Sequence, residues 1–371
     1  MIFISYYYIY FYTTILSLFG LFHQNKFLKF FSLSLIVYIL VLYAGLRIPS
    51  GGDWYNYILT FQEINNYSDI FNYSIYSKEP LYLLLNVFIK SISDNYFILF
   101  LFIAFFSIIL NFLSYKKYTK YYFVSIILYV SFFYYFRELG AIRAGLAYSI
   151  VLYALQYIEK KQIKIFLIFN FIAIGFHYTA ILALFAYPLY HYINWNKTKF
   201  LIILFIGILS NILHLSNFVL NLIPQNSSFI IFQKIISYQK DSGLVYSLGF
   251  DLTNIKNILL ISIFIIFYNF LSYKIRYFNI IFFIFFIGSI FRIFFSDFGI
   301  LAARSATLFL TVEPILITYI IYLLKDKYLK VLLIFIIILY SYFQLYFSFN
   351  KYKINQFENY IFSSYSINKR L

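Results

Sequence analysis

The sequence predicts an all-α, polytopic integral membrane protein of about ten transmembrane helices with short re-entrant or interfacial helices between them. Three observations carry that prediction. Hydrophobic residues make up 63% of the 371 positions and charged residues only 11%. A soluble globule holds roughly 25% charged residues. Apolar runs near the length of a bilayer span recur along the whole chain, and the mean hydropathy is +0.82. The charges that do occur sit in short clusters between those runs.

Taken in order, spans are expected at 3–22, 27–46, 96–114, 121–136, 144–158, 200–216, 255–273, 277–295, 300–324 and 331–349. The first, "MIFISYYYIYFYTTILSLFGLF", has no lysine or arginine ahead of it, so it reads as a membrane helix and not as a cleaved signal peptide. The basic loops "HQNKFLK", "KKYTK", "EKKQIK", "NKTK", "KIR" and "KDKYLK" hold most of the lysines and are placed on the cytoplasmic side. Loops 47–95, 137–143, 217–254 and 296–299 then face outward, and the whole chain reads as one domain, 1–371. "PLYLLLNVFIKSI", Pro80–Ile92, is too short to span and is expected to be interfacial or re-entrant. The segment 163–190 has basic loops at both ends. It is either a hairpin bending near Gly175-Phe176-His177 or a single span with one basic loop on the wrong side. Thirteen helical residues rise about 20 Å, enough to carry His177 most of the way across.

The net charge of +16 invites a nucleic-acid partner, but the lysines are distributed as topology determinants, and that class is excluded. The excess of Phe and Tyr, 50 and 42 residues, follows a biased composition and needs no functional reading for most of them. The absence of cysteine removes disulfides, thiolate metal sites and cysteine nucleophiles. No His, Asp and Glu spacing resembles a metal site, and no cofactor is expected.

The arginines sort differently from the lysines. Arg47, Arg137, Arg143, Arg292 and Arg304 all fall at or just inside the outer ends of spans. Arginine keeps its charge when buried and presents a planar fork matched to phosphate oxygens. Five of them converging would suit a lipid-linked phosphate or pyrophosphate. Each taken singly also reads as a side chain snorkelling to head groups or paired with a nearby acid.

The stretch "RIPSGGDWYNY" is unusual in this chain. Pro49-Ser50-Gly51-Gly52 is turn chemistry that would fold Asp53 back towards Arg47. Trp54, Tyr55 and Tyr57 are amphipathic rings suited to the membrane interface or to sugar faces. "GGD" lacks the GK[ST] ending of a phosphate-cradling loop. Glu79 precedes Pro80 at the positive end of a short helix. Glu138 lies between Arg137 and Arg143, among the small residues Gly140, Ala141, Ala144, Gly145 and Ala147, which permit close approach. His177 is far from any loop end, whereas His23, His191 and His214 fall at span ends and read as having no special role. Glu313 before Pro314 reads as a polar partner or a kink. The Tyr-rich stretch 65–77 is as well explained by composition as by sugar binding.

Together "RIPSGGDWYNY", "KEPLYLLL", "IRAGLA", "FHYTA" and "ARSATLF" form an ordered series over residues 44–318. The series resembles the EpsG-like branch of Wzy-type polysaccharide polymerases, although Ala144-Gly145 stand where a glutamine would be expected. The resemblance implies a bacterial cytoplasmic-membrane enzyme of O-antigen, capsule or exopolysaccharide assembly. It would join oligosaccharide repeat units carried on undecaprenyl pyrophosphate at the outer face, moving the growing chain to the non-reducing end of an incoming unit. Membrane lipid, a flippase and a chain-length regulator would be its partners. In that chemistry Arg47, Arg143 and Arg304, with Arg137 and Arg292 behind them, would hold pyrophosphate. Asp53 is the first candidate for base, then His177, Glu79 and Glu138; Trp54 and Tyr57 would meet sugar. An O-antigen ligase or another lipid-linked-sugar transferase would use the same chemistry. A flippase would carry intramembrane charge too, but no internal repeat is visible.

Overall fold

The computed structural model describes residues 6–47, 53–71, 78–216, 218 and 247–352. The turn 48–52, residues 72–77 of the stretch 65–77 and most of the outer loop 217–254 therefore lie outside the described residues. Those described are helical throughout, with no strand among them. They divide into two compact units. Unit one holds the described residues within Met1–Ala154, Lys164–Ile181 and Thr318–Leu371; unit two holds those within Leu155–Ile163 and Leu182–Ile317.

Four of the described helices begin where the sequence provides a side-chain cap. Asn25, Asn95 and Asn196 each accept a backbone N–H of the first turn, at 2.8, 3.0 and 2.8 Å, and Asp251 accepts from Asn254 at 2.8 Å. Such caps satisfy donors that have no intrahelical partner. In unit one, α1 (Tyr6–Phe22), α2 (Lys26–Gly45), α3 (Trp54–Glu63), α4 (Pro80–Ile92) and α5 (Tyr96–Tyr118) follow in order. Next, α6 (Tyr122–Leu128) continues into π-helical turns, Tyr129–Phe133 and Tyr135–Gly140. Then come α7 (Ile142–Glu159) and α8 (Ile163–Phe176), both shared across the boundary with unit two. A 3-10 segment, Tyr178–Phe185, follows His177, so the helix breaks at the residues where a bend was expected. α1 and α2 pack together, α2 lies along α5, and α1 lies along α6.

Unit two contains α9 (Ala186–Tyr192), α10 (Lys197–Ile212), α11 (Leu252–Ile266), α12 (Tyr268–Lys274), α13 (Phe278–Phe294), α14 (Gly299–Phe309) and most of α15 (Glu313–Thr318). α13 is its centre, packed against α10, α11 and α14. The last helix, α16 (Lys327–Tyr352), returns to unit one and lies along α6.

Each of the ten expected spans coincides with helix, but their lengths are unequal. Four described stretches are long and apolar enough to cross a membrane: Lys26–Gly45, Tyr96–Tyr118, Gly299–Leu323 and Lys327–Phe349. A fifth is added if α11 and α12, bent by 74°, are one broken span. Of the others, the run 121–140 passes into π-helical turns, 163–192 into a 3-10 segment and 252–274 through a bend, while Lys197–Ile212 and Phe278–Phe294 are unbroken helices of 16 and 17 residues.

Close approach of α2 to α5 depends on Gly45, where a Cβ would stand 2.8 Å from the Leu101 Cα. At Gly140 the nearest atom to such a Cβ is the Tyr135 carbonyl oxygen at 3.7 Å, an ordinary contact. Gly45→Ala is therefore expected to destabilise the protein by about 1–3 kcal/mol through overpacking, while Gly140→Ala leaves it nearly unchanged. Thermal unfolding in detergent, with both variants compared against wild type, measures the difference.

Candidate functional site

The site is built on one carboxylate. Pro80 opens α4, where its missing N–H costs nothing, and Glu79 precedes it in extended backbone, φ −74° and ψ 143°. The Glu79 side chain does not cap α4, as its position in the sequence suggested it would. It turns instead towards two other elements. Oε2 accepts the guanidinium of Arg143, the second residue of α7. Oε1 pairs with Nδ1 of His177 at 2.9 Å and accepts the Tyr178 N–H at 3.3 Å. Glu79 is only 3% exposed. Three chain segments far apart in sequence thus end on one buried acid.

Gly175 makes the junction possible. A Cβ there would lie 2.5 Å from Cγ and Cδ1 of Leu81, so only glycine lets the end of α8 reach the start of α4. Tyr148 closes the far side, its hydroxyl 2.8 Å from Thr179 Oγ1 and its ring edge-on to His177 with centroids 6.0 Å apart.

The Arg143 guanidinium lies over the rings of Tyr57 and Tyr82, 5.7 and 5.4 Å from their centroids. Both rings are fully buried, so they exclude water from the ion pair. Its Nε has no hydrogen-bond partner among the described residues. The Tyr57 hydroxyl donates to Asp53 Oδ2 at 3.5 Å, the weak limit of a hydrogen bond. Asp53 itself is exposed at the start of α3.

Glu79 stands ahead of α4, outside the spans. Burial alone would push its carboxyl up, but the His177 hydrogen bond and the Arg143 charge outweigh that and hold it below the usual range. Lys78, half-buried, is pushed down by burial first and by Arg143 next. It is a second cation beside Arg143, with Asp53, Glu79 and Glu63 in its field. Lys78 was not singled out in the sequence, although its place next to Glu79 was the available signal.

The other expected residues fall elsewhere. Arg47 is 1% exposed and does not pair with Asp53: its Nη1 donates to the Glu138 carbonyl at 2.5 Å and to the Ala44 carbonyl at 3.4 Å, with Phe100 below it. Glu138 is buried by the π-helical turns, where Oε1 accepts from Ser107 at 2.7 Å and Asn111 at 3.3 Å. That packing places the last-ranked candidate base among hydrogen-bonding side chains of α5. Arg137 lies over Phe133 and Tyr148. Gly145 has the Arg137 carbonyl 3.2 Å from where its Cβ would be, a contact tight enough that the neighbour would have to shift by a few tenths of an ångström. Trp54 and Tyr57 are also buried, Trp54 against Tyr55 and Tyr96, so neither presents a face to sugar as expected. In unit two Arg292 forms a two-pronged pair with Asp251 at 3.0 and 2.8 Å and donates to Asn254 Oδ1 at 2.5 Å. Glu313 pairs with Lys256, and Arg304 is exposed. Of the five arginines, Arg143 alone joins the Glu79 and His177 cluster. Three belong to unit one and two to unit two.

The model of the EpsG family matches residues 30–364. The chain belongs to the EpsG family. Among curated proteins, the amylovoran biosynthesis protein AmsC of Erwinia amylovora is 25% identical over 314 residues, covering 82% of this chain and 82% of that one. No solved structure matches. For this EpsG-family protein, the motifs that suggested the family also supply the cluster: Glu79 from "KEPLYLLL", Arg143 from "IRAGLA" and His177 from "FHYTA".

Removing either partner of a buried ion pair leaves the other uncompensated, at about 3–5 kcal/mol. Glu79→Ala and Arg143→Ala are each expected to lose about that much, and the double variant clearly less than the sum. Thermal or denaturant unfolding of all four proteins in one detergent gives the coupling. The depressed Glu79 contributes stability that is present above the ordinary carboxylate range and lost as pH falls through its lowered folded value. An unfolding series from neutral to acid pH should show that loss in wild type and not in Glu79→Gln.

Proposed function

We propose that this EpsG-family protein polymerises repeat units carried on undecaprenyl pyrophosphate at the outer face of the bacterial cytoplasmic membrane. The carrying observation is that buried Glu79 holds Arg143 and His177 at one point. Membership of the family and a relative named for amylovoran biosynthesis support the reading. We read the shorter and broken helices as the remaining spans of about ten, with the cluster opening outward beside α4.

In the reaction, the bond between the anomeric carbon of the growing chain and its pyrophosphate breaks, and the pyrophosphate leaves with the electron pair. An acceptor hydroxyl on the incoming lipid-linked unit forms the new bond and loses its proton. Pyrophosphate is a good leaving group, so the enzyme's task is to stabilise its charge and orient the acceptor. Arg143, with Lys78 beside it, is assigned the first task. His177 is assigned the second. The Glu79 carboxylate fixes the imidazole proton on Nδ1 and leaves Nε2 to accept from the hydroxyl. Asp53, exposed and only weakly tied to Tyr57, is placed behind His177 as base. A flippase would deliver the units and a chain-length regulator would set where growth stops.

The gene deletion, complemented with variants, tests this. Deletion should leave single repeat units on the carrier or cell surface. Arg143→Ala and His177→Ala, at normal membrane levels, should fail to restore long chains, the histidine change costing about 10²–10⁴ in rate. Asp53→Ala should restore them. Long chains of normal abundance from Arg143→Ala would overturn the assignment. Long chains persisting on the lipid carrier in the deletion strain would make the protein a ligase.

A further inference from the structure

Unit two holds a second histidine in the manner of His177, and the reaction above does not use it. Just past α10, His214 takes a left-handed backbone with φ 52°, a conformation uncommon in residues that carry a Cβ. That turn directs Nδ1 to Oδ1 of Asp297 at 2.6 Å. Asp297 is buried at 7% exposure, and its Oδ2 accepts the hydroxyl of Ser216, itself buried. Both carboxylate oxygens therefore have partners within the protein. The His214 side chain, in contrast, is 65% exposed. A histidine that served packing would be covered. Here one ring nitrogen is fixed by a buried acid and the other edge is turned to the surface. With Asp297 accepting from Nδ1–H, Nε2 is left as a hydrogen-bond acceptor.

The surroundings are rigid and their charges are already matched. Asn211 Nδ2 donates to Ser296 Oγ at 2.7 Å and to the carbonyls of Gly249 and Ile293, both at 3.2 Å. The Leu248 N–H donates to the Ser296 carbonyl at 2.7 Å, so the ends of α10 and α13 and the approach to α11 are tied together. Arg292 is spent on Asp251 and Asn254 in the same region. An outward acceptor nitrogen suits a neutral ligand that donates hydroxyls better than it suits an anion.

We propose that His214 is the hydrogen-bonding residue of a carbohydrate subsite on unit two, accepting a sugar hydroxyl at Nε2. The choice of carbohydrate rests on the polymerase reading; the geometry itself calls for a hydroxyl donor. No covalent bond changes at this subsite.

His214→Asn is the informative variant. Asparagine tolerates left-handed backbone, and its amide N–H replaces the donor to Asp297, but it has nothing at the place of Nε2. The full-length protein in nanodiscs is titrated with short oligosaccharides cleaved from the host's own surface glycan. His214→Asn should raise Kd about tenfold, equivalent to about 1.4 kcal/mol, with the unfolding temperature unchanged. Equal affinity in variant and wild type would overturn the subsite, as would a wild-type protein that binds no oligosaccharide. The chain-length assay with Arg143→Ala reads the polymerase assignment separately. Loss of long chains there, together with no oligosaccharide binding, would remove the subsite and leave the polymerase.

Discussion

A buried carboxylate in a chain this apolar must be compensated or neutralised, and the arrangement of unit one follows from how Glu79 is compensated. An ionised acid away from water costs several kcal/mol unless opposite charge and hydrogen bonds replace its hydration. Glu79 recruits three groups from two other segments: the guanidinium of Arg143 on α7, and the imidazole of His177 with the backbone N–H of Tyr178 after α8. None of these segments could drift without exposing the others. Leu81 lying against Gly175, and Tyr57 and Tyr82 under the guanidinium, are the packing that keeps water from the pair.

The other buried charges are held by different arrangements in the same protein. Arg292 meets Asp251 with both prongs of its fork and takes Asn254 as well, so it has little left to offer a ligand. Arg47 donates to carbonyls where α2 ends and where the π-helical turns pass, tying those segments together. Glu138 takes its partners from two polar residues of α5, Ser107 and Asn111. Arg143 differs in kind. It shares one acid with a histidine that keeps a quarter of its side chain exposed, and it has a second cation, Lys78, close by.

Much of the fold was legible because hydropathy measures what a bilayer requires. Each long apolar run became helix, and the short run at Pro80 became the short helix it was read to be. Hydropathy is silent on backbone breaks, so the π-helical turns that bury Arg137 and Glu138, and the 3-10 segment after His177, were not visible as interruptions of span length. The site was legible as a set of residue types and illegible as a geometry. Glu79, Arg143 and His177 were each named from the sequence, but their ranking depended on neighbours that lie 64 to 98 residues away. Trp54 and Tyr57 looked like surface aromatics because composition cannot tell an interfacial ring from a buried one. His214 was dismissed for lying at a span end, and only its contact with Asp297 distinguishes it.

One carboxylate serving two functional groups also ties the two halves of the proposed reaction together. Arg143 and His177 draw on the same negative charge, from different oxygens of Glu79. A pyrophosphate that competes for the guanidinium weakens its hold on Oε2, and the acid is then left to the imidazole and the Tyr178 N–H. In the proposed reaction the histidine would then be held most firmly with the donor in place, which is when an acceptor hydroxyl has to be oriented. An independent base such as the exposed Asp53 would have no such dependence on the donor. Under the proposed reaction a shared acid would couple attack by the acceptor to the presence of the donor.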